Sequence, residues 1–418
     1  MLRREVGPTD LALGDHLTAQ LDEMKGLAMK IGQIVSYMDV PLPEAVQQKL
    51  AQLQTGQQGM PPEQTRSVIE GALGHPVEVL FEDFDFEPVA AASIGQVHRA
   101  RVEGRPVAVK VQYPSVAESF EKDLGAIGRL ASLASLASAV DGTAIVEELG
   151  ARLAEECDYE REARMQRAFA AAFAEDLAVR IPAVIDSHTT AAVLTSRWVD
   201  GEGFEAIRLH AAAARRTQIA RTLVRLSYRS LLGLGTIQAD PHPGNFLFVP
   251  EGPVAFLDFG CVRQLEVDFV SGLRHMAQAL RHGDRASFRE ATLTLGLVGH
   301  PGKFDFDHFY TVMEHLHRPL LASRFSFQPS FMREAMALNG PTSPNARTLA
   351  IPAAYVWVLR LQWGLWSILT KLGVEGSFDD LLDEILERPI EPLLVPPPTQ
   401  PSVESSAETS AAEPHRSS

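Results

Sequence analysis

Two aspartates and an asparagine stand at spacings that suit the handling of a phosphate group. Asp240 precedes Asn245 by five positions, and Asp258 follows Asn245 thirteen positions later. A carboxylate can orient a nucleophilic hydroxyl or water, and carboxylate and amide oxygens are ligands that Mg²⁺ prefers. The residue types therefore predict one orienting aspartate and a two-residue magnesium site.

A short hairpin would bring the two predicted metal ligands together. Residues 246–249 and 254–257 read as two strands joined at Glu251-Gly252. The strands of a hairpin return to the same end, so one Mg²⁺ could touch the asparagine before the hairpin and the aspartate after it. The order of the three polar residues matches the catalytic and metal loops of protein-kinase-type phosphotransferases. The alternative is a polar turn beside a hairpin, because Asp-Phe-Gly alone is a weak signal.

A lysine at a strand end could bind the phosphates of a nucleotide. Residues 89–97, 99–102 and 107–111 are predicted strands, and the third ends in Val107-Ala-Val-Lys110. This is the form of the kinase strand that supplies a phosphate-binding lysine, although a surface charge is the alternative. Where a kinase carries a glycine-rich phosphate loop, this chain has alanines. Alanine does not readily adopt positive φ, so we expect a stiffer loop that cradles a nucleotide differently.

Several acids lie on a long helix predicted over residues 145–173. Helical geometry puts Glu155, Asp158 and Glu162 on one face at i, i+3 and i+7. One of these carboxylates is the natural ion-pair partner of Lys110, and the pair would fix the amine against phosphates. The alternative is an ordinary solvated helix face that carries many charges.

Other predicted elements flank these motifs. Residues 10–55 read as helices on which Lys30 and Gln33 share a face, and the two could form its solvated edge. A strand over 190–199 leads to the point where a kinase chain crosses between lobes, and a long helix over 206–234 leads to Asp240. The tryptophan-rich helix over 355–372 is expected to pack in the larger lobe, with a membrane surface or ligand groove as the alternative.

Composition excludes several classes of protein. The 418 residues are 45% hydrophobic and 22% charged, which describes a globular chain long enough for a two-lobed domain. A net charge of −15 argues against a nucleic-acid-binding surface. With only two cysteines, no signal peptide and no run of 18 apolar residues, we expect a soluble cytoplasmic protein, at most peripheral at a membrane.

Taken together, the motifs resemble the UbiB family of atypical protein-kinase-like proteins, the AarF-domain-containing kinases linked to ubiquinone biosynthesis. The resemblance covers residues 15–390. Its most specific motifs are Lys30-Ile-Gly-Gln33, Ala90-Ala-Ala-Ser-Ile-Gly-Gln-Val-His98, Glu156-Cys-Asp-Tyr-x-Arg-Glu-Ala163 and Ala239-Asp-Pro-His-Pro-Gly-Asn245. Because these motifs occur together in one chain, Lys30 is better explained by a functional role than by a solvated helix edge.

The resemblance implies an α+β fold, a two-lobed protein-kinase-like architecture with an N-terminal helical extension that covers the active site. The expected divisions are 1–78 for the extension, 79–200 for an N-lobe with a helical insertion, 201–392 for a helical C-lobe and 393–418 for a disordered tail.

The resemblance also implies a site for ATP and Mg²⁺. Asp240, Lys110 and Glu162 would be catalytic, with Lys110 on the phosphates and paired with Glu162. Asn245 and Asp258 would bind Mg²⁺. The loop residues implied to contact ATP are Ala90, Ala91, Ala92, Ser93, Ile94, Gly95, Gln96 and Val97.

The implied cover brings Lys30 and Gln33 to Glu156 and Asp158, closing the cleft where a protein kinase admits a peptide. Helical spacing aligns Glu155 rather than Glu156 with the other acids, so the role of Glu156 depends on the resemblance alone. The chain departs in two respects from the patterns of protein kinases and of the UbiB family. It lacks the His-Arg pair that kinases have before the catalytic aspartate, which argues against control by a phosphorylated loop. It also lacks the C-terminal spanning helices of many family members, which argues against stable membrane residence.

The leading hypothesis is an Mg²⁺-dependent ATPase or small-molecule kinase that supports isoprenoid-quinone or lipid metabolism, with a quinone precursor or lipid as partner. The alternative is a nucleotide-gated scaffold or lipid-binding chaperone with little turnover, which the alanine-rich loop and the covering helix favour. A conventional protein kinase is the third hypothesis and the least favoured.

Overall fold

The computed structural model describes residues 59–92, 94–114, 157–340 and 342–396. The helices within these ranges are α1 (Pro62–Leu73), α2 (Val77–Leu80), α3 (Tyr159–Ala172), α4 (Phe204–His210), α5 (Ala213–Tyr228), α6 (Val267–His282), α7 (Arg285–Thr294), α8 (Phe306–Leu321), α9 (Pro329–Leu338), α10 (Ala353–Leu372) and α11 (Asp379–Glu387). The strands are β1 (Asp83–Phe84), β2 (Ala90–Ala92), β3 (Gly95–Val102), β4 (Arg105–Gln112), β5 (Val179–Arg180), β6 (Val193–Arg197), β7 (Thr236–Gln238), β8 (Phe246–Phe248), β9 (Val254–Phe256), β10 (Val262–Gln264), β11 (Phe325–Ser326) and β12 (Glu375–Gly376).

An antiparallel sheet forms the N-terminal lobe. Its strand order is β1-β3-β4-β6, and β2 also pairs with β3. Strands β3 and β4 pair along their full lengths through a tight turn, in which Glu103 and Gly104 have φ values of 52° and 70°. Two positive φ values match the twist of a two-residue hairpin. One face of the sheet packs against α1 and α2 around three fully buried valines of β4, Val107, Val109 and Val111.

Helix α3 joins this sheet to the second lobe. The helix begins at Tyr159 because the carboxylate of Asp158 accepts a hydrogen bond from the backbone N–H of Arg161 at 3.0 Å, which caps the first turn. Further along α3, Phe169 is fully buried and packs against Phe256 and Phe259 of the second lobe. The helix is therefore held at its start by a cap and at its centre by aromatic packing.

Two small sheets in the second lobe bring distant loops together. Strands β8 and β9 form the hairpin, with Phe246 opposite Phe256 and positive φ at Glu251 in its turn. Strand β10 pairs antiparallel with β7, with Val262 opposite Gln238. Residues 239–245 and 257–261 are thereby adjacent. The remaining helices pack around a large apolar core that includes Trp366 of α10, which is completely buried.

The structure corrects three predicted elements. Residues 89–97 are not one strand, since β2 and β3 turn back on each other and pair Ala90 with Val97. Of the helix predicted over 145–173, the described part begins at Tyr159, because Asp158 has extended backbone angles and caps α3. Helical i, i+3, i+7 spacing therefore does not relate Asp158 to Glu162. The helix predicted over 206–234 is interrupted at 211–212, where the backbone is extended, and ends in a π-helical turn, Arg229–Gly233.

Some predictions fall outside the described residues. These are the helices over 10–55, the part of the 145–173 helix before residue 157 with Glu155, the cover residues Lys30, Gln33 and Glu156, the loop residue Ser93 and the tail beyond 396. In the part of the chain that the structure does describe, each helix is too short or too polar to cross a membrane.

Candidate active site

A buried ion pair between the two lobes is the centre of the site. Lys110 lies on β4, between Val97 of β3 and Leu194 of β6, and Glu162 lies on the first turn of α3. The Lys110 Nζ atom donates to Glu162 Oε1 at 2.9 Å and to Oε2 at 2.8 Å. The side chain of Glu162 is 3% exposed and that of Lys110 is 18% exposed. The ammonium is thus fixed on its inner side by both carboxylate oxygens.

Tyr159 forms the floor beneath this lysine. The Lys110 Nζ lies 4.8 Å from the centre of the Tyr159 ring, close enough for a cation–π interaction. The Tyr159 hydroxyl is buried and has no hydrogen-bond partner among the described residues. A Cβ atom on Gly95 would lie 2.3 Å from the Val111 carbonyl oxygen and 2.7 Å from this hydroxyl. Only glycine therefore permits so close an approach at the start of β3, toward the end of the alanine-rich loop.

Opposing effects set the protonation of the ion pair. Burial lowers the pKa of Lys110, but the carboxylates of Glu162 and Asp258 outweigh it and the net shift is upward. Burial raises the pKa of Glu162, and Lys110 opposes that rise. For Tyr159, burial raises the pKa of the hydroxyl. The lysine therefore stays an ammonium and the tyrosine stays neutral.

The Asp-Phe-Gly segment lies directly beside the ion pair. The Asp258 Oδ2 atom is 4.0 Å from Lys110 Nζ, and its Oδ1 atom accepts a hydrogen bond from the Gly260 N–H at 3.0 Å. Phe259 is completely buried. Arg161 of α3 donates to the carbonyls of Gly260 and Val262 at 3.2 and 3.0 Å. Helix α3 thus holds both the lysine and the Asp-Phe-Gly segment.

The loop that carries Asp240 is fixed through its own backbone. The Asp240 carbonyl accepts hydrogen bonds from Gln238 Nε2 at 2.8 Å, the His242 N–H at 2.7 Å and Asn245 Nδ2 at 2.9 Å. Its side chain is also engaged, because Arg360 of α10 donates to Asp240 Oδ1 at 3.0 Å. The position of the carboxylate is therefore set by a helix 120 residues away in sequence.

The proposed metal ligands fit Mg²⁺ by their chemistry. The Asn245 carbonyl accepts a hydrogen bond from the Leu257 N–H at 3.0 Å, which places Asn245 next to the residue before Asp258. Because the amide nitrogen of Asn245 is used by Asp240, its side-chain oxygen is left as an acceptor. Mg²⁺ binds through one or two protein oxygens and takes its other ligands from water and phosphates.

The alanine-rich loop divides between the two faces of the sheet. Ala90 and Ala91 are exposed, whereas Ile94 is 3% exposed. Val97 lies opposite Lys110 in the sheet, so its neighbour Gln96 points to the other face. There Gln96 accepts from the Met60 N–H at 2.7 Å and donates to His98 at 2.9 Å, which anchors the loop to the chain entering α1. The Gln96 side chain is therefore engaged on the sheet face opposite Lys110, and the nucleotide contact expected of Gln96 stays a prediction.

Sequence reasoning missed three residues of the site. Tyr159 and Arg161 lie within the motif Glu156–Ala163, but only its acids were given roles. Arg360 stands in an apolar stretch, where a charged residue is unusual unless it has a buried partner, and this was the available signal. Of the predicted cover contacts, only Asp158 is described, and it caps α3.

Comparisons with known proteins agree with this architecture. Residues 52–292 match the ABC1 atypical kinase-like domain. The chain is 34% identical over 291 residues to Atypical kinase COQ8, mitochondrial, of Saccharomyces cerevisiae, covering 68% of this chain and 57% of that one. It is 33% identical over 279 residues to Protein ACTIVITY OF BC1 COMPLEX KINASE 8, chloroplastic, of Arabidopsis thaliana, covering 65% of this chain and 37% of that one. The chain thus spans less than two thirds of the length of each of these relatives.

A solved structure resembles the whole fold. It is the complex of Rv3197 with erythromycin from Mycobacterium tuberculosis, which aligns with a TM-score of 0.69 at 28% sequence identity. The alignment covers 93% of this chain and 98% of that one. Together with the domain match, it confirms the predicted α+β kinase-like fold.

Proposed function

Because the chain belongs to the ABC1 atypical kinase-like family, also called the UbiB family, we propose that it is an Mg²⁺-dependent ATP-binding enzyme, an ATPase or a small-molecule kinase. One observation carries the proposal. Lys110 Nζ lies 2.8 Å from Glu162 and 4.0 Å from Asp258, so a fixed ammonium and a metal-binding carboxylate face the same point. Kinases need both arrangements to transfer a phosphate.

Each residue has a defined task in this proposal. Lys110 binds the ATP phosphates, and Glu162 keeps its ammonium from rotating away. Asn245 and Asp258 hold Mg²⁺, which neutralises charge on the phosphate oxygens when it is bound. Asp240 orients the acceptor hydroxyl or water for attack on the terminal phosphate and accepts its proton. The acceptor oxygen bonds to the terminal phosphorus, and the bond from that phosphorus to the oxygen bridging to ADP breaks. ADP leaves with the bonding electron pair.

The alanine-rich loop would cover the phosphates. Strand β2 pairs with β3 immediately beside Lys110, and Gly95 brings the loop close to the Tyr159 floor. Exposed alanines offer methyl groups rather than the open backbone of a glycine-rich loop. We therefore expect the loop to bind ATP less closely than in a protein kinase, which suits slow turnover. Lys30 and Gln33 are proposed to close the cleft against Glu156 and Asp158.

The proposed acceptor is a quinone precursor or another lipid. The link of the UbiB family to ubiquinone biosynthesis supports this substrate class, and the erythromycin complex of a similar protein supports a small organic partner for the fold. We propose contact with a lipid surface and no nucleic-acid partner, the latter given the net charge of −15.

A turnover assay tests the proposal. Phosphate release from ATP is measured for the purified protein with and without Mg²⁺, lipid vesicles and a quinone-like phenol, alongside Asp240→Asn. We expect Mg²⁺-dependent turnover that the variant loses by about 100-fold or more. An additive that raises turnover would identify the acceptor class. Labelled phosphate on a defined serine or threonine of a protein partner would instead support a conventional protein kinase.

A nucleotide-gated scaffold is the second candidate function. It is favoured by the alanines of the phosphate loop, which limit close approach to a nucleotide. A scaffold needs nucleotide binding but no transfer. Its biological function would therefore be lost on replacing Asp258 and kept on replacing Asp240, whereas an enzyme would lose it in both cases.

A further inference from the structure

Helix α10 contacts the catalytic loop at two adjacent points. Arg360 Nη2 donates to Asp240 Oδ1 at 3.0 Å. One turn further along the helix, a Cβ atom on Gly364 would lie 2.1 Å from Cγ and 2.9 Å from Cβ of Pro241. The helix backbone therefore lies directly against the residue that follows Asp240. These contacts involve consecutive residues of the loop and one face of a single helix.

The arginine is held by a rigid element. Residues on the opposite face of α10 belong to the core, and Trp366 and Leu369 are completely buried. The guanidinium of Arg360 also lies 5.9 Å from the ring of Trp357, one turn earlier on the same helix. The side chains of Arg360 and Asp240 are 19% and 32% exposed, so the ion pair is partly buried. A partly buried charge-assisted hydrogen bond of this kind fixes geometry more firmly than an exposed one.

The backbone of Asp240 leaves only its side chain to be oriented. Three donors fix the Asp240 carbonyl, from Gln238, His242 and Asn245. The carboxylate could still rotate about its two side-chain bonds. Arg360 restricts this rotation by binding one of the two oxygens, Oδ1. The other oxygen, Oδ2, is then left to receive a hydrogen bond from the hydroxyl or water that accepts the phosphate.

We infer that Arg360 is a positioning residue, which orients the Asp240 carboxylate through Oδ1 so that Oδ2 meets the acceptor hydroxyl or water. The inference rests on the proposed function. It assigns α10, outside the residues 52–292 of the domain match, a part in the reaction. Because a misplacement of about 1 Å costs on the order of 100-fold in rate, loss of the arginine should lower kcat about 10- to 100-fold.

The test measures ATP turnover by the full chain for Arg360→Gln, Arg360→Ala and Arg360→Lys, each also combined with Asp240→Asn. Lys371→Ala is the matched control, since Lys371 is an exposed cation on the last turn of the same helix. We expect lower kcat with unchanged KM for ATP in the Gln and Ala variants, and partial recovery in the Lys variant. In the Asp240→Asn background, the loss on replacing Arg360 should shrink to about twofold or less, since residues that act through one another are not additive.

Each other outcome has a defined meaning. No turnover by the wild-type protein contradicts both the proposed function and this inference. Turnover by the wild type with equal kcat in Arg360→Gln, or with losses that multiply in the double variant, contradicts the inference alone. A variant that unfolds lowers active protein and nucleotide binding together, and the remaining variants then decide the outcome.

Discussion

At the scale of single residues, the site depends on one buried charge pair. Glu162 is almost completely buried, and Lys110 satisfies both of its oxygens. Removing two charges from water costs free energy, and their attraction compensates for it only when the pair is close and well oriented. Either charge buried alone is unfavourable. The pair therefore couples the stability of the fold to the position of the Lys110 ammonium.

Replacement of either partner should destabilise the protein. We expect Glu162→Gln or Lys110→Met to lower the free energy of unfolding by about 3 kcal/mol, because each leaves the other group buried without its counter-charge. Urea unfolding followed by circular dichroism measures this. The double variant should be more stable than the sum of the single losses implies. Strictly additive losses would contradict a direct pair.

Some residues of the site could be identified from the sequence and others could not. Lys110, Asp240, Asn245 and Asp258 stand in local motifs, so the spacing alone was enough to single them out. Glu162 was singled out by resemblance, since the helical-face argument relied on a helix that does not run through Asp158. Arg360 could not be placed, because nothing local links it to a loop so far away in sequence.

At the scale of elements, the packing of α10 against the catalytic loop has no room for a side chain. A Cβ atom added to Gly364 would lie only 2.1 Å from Cγ of Pro241. Real atoms do not approach so closely, so any larger residue must move the loop or the helix. The glycine thus sets the spacing at which Arg360 reaches Asp240.

We expect Gly364→Ala to lower ATP turnover by at least about tenfold, because it displaces the loop that carries Asp240. Nucleotide affinity should change less, since Lys110 and Asp258 lie on other elements. Gly71→Ala is the matched control: this glycine lies in α1 with no atom within 4 Å of the added Cβ, and alanine favours a helix by about 1 kcal/mol. Unchanged turnover in Gly364→Ala would show that the loop position does not depend on α10.

Turn signals made some elements predictable and left others hidden. The hairpin β8–β9 follows from two short apolar runs on either side of Glu251-Gly252, and it forms as expected. The interruption at 211–212 lies within a run of alanines, which are the best helix formers. Only tertiary packing can end a helix there, so local sequence gave no warning.

At the scale of the whole molecule, a buried polar network connects the sheet to α1. His98 is completely buried and hydrogen bonds to Gln96 Nε2 at 2.9 Å and to the Asp85 carbonyl at 2.9 Å. The amide donates to one ring nitrogen, so the other must carry the proton. A second proton would oppose the Gln96 donor. Burial lowers the pKa of His98, although Asp85 and Glu87 partly oppose this.

Stability should therefore fall as the solution is acidified. The pKa of His98 is lowered from its ordinary value of 6.5, so the unfolded chain takes up the proton first. The free energy of unfolding then decreases as pH falls from 6.5 to the folded-state pKa, by at most about 1.4 kcal/mol for each unit of lowering. Urea unfolding between pH 7.5 and 5.5 tests this against His98→Gln, in which the decrease should be smaller. An equal decrease in the variant would assign the effect to other groups.

The kinase-like fold was predicted from motifs rather than from periodicity. Motif order requires a lysine-bearing sheet before a catalytic loop and a metal loop, and the structure has this order. The contacts between lobes depend on α3, whose Phe169 packs against Phe259 of the Asp-Phe-Gly segment. Such packing joins residues far apart in sequence and has no local pattern, so it could not be read from the chain.

The central claim is that Mg²⁺ and nucleotide bind together between Lys110 and Asp258. Calorimetric titration of the full chain with a non-hydrolysable ATP analogue tests it most directly, with and without Mg²⁺, in the wild type, Asp258→Asn and Asp240→Asn. We expect Mg²⁺-dependent binding that Asp258→Asn loses and Asp240→Asn retains. Equal affinity in Asp258→Asn and the wild type, or no binding by the wild type at all, would contradict it.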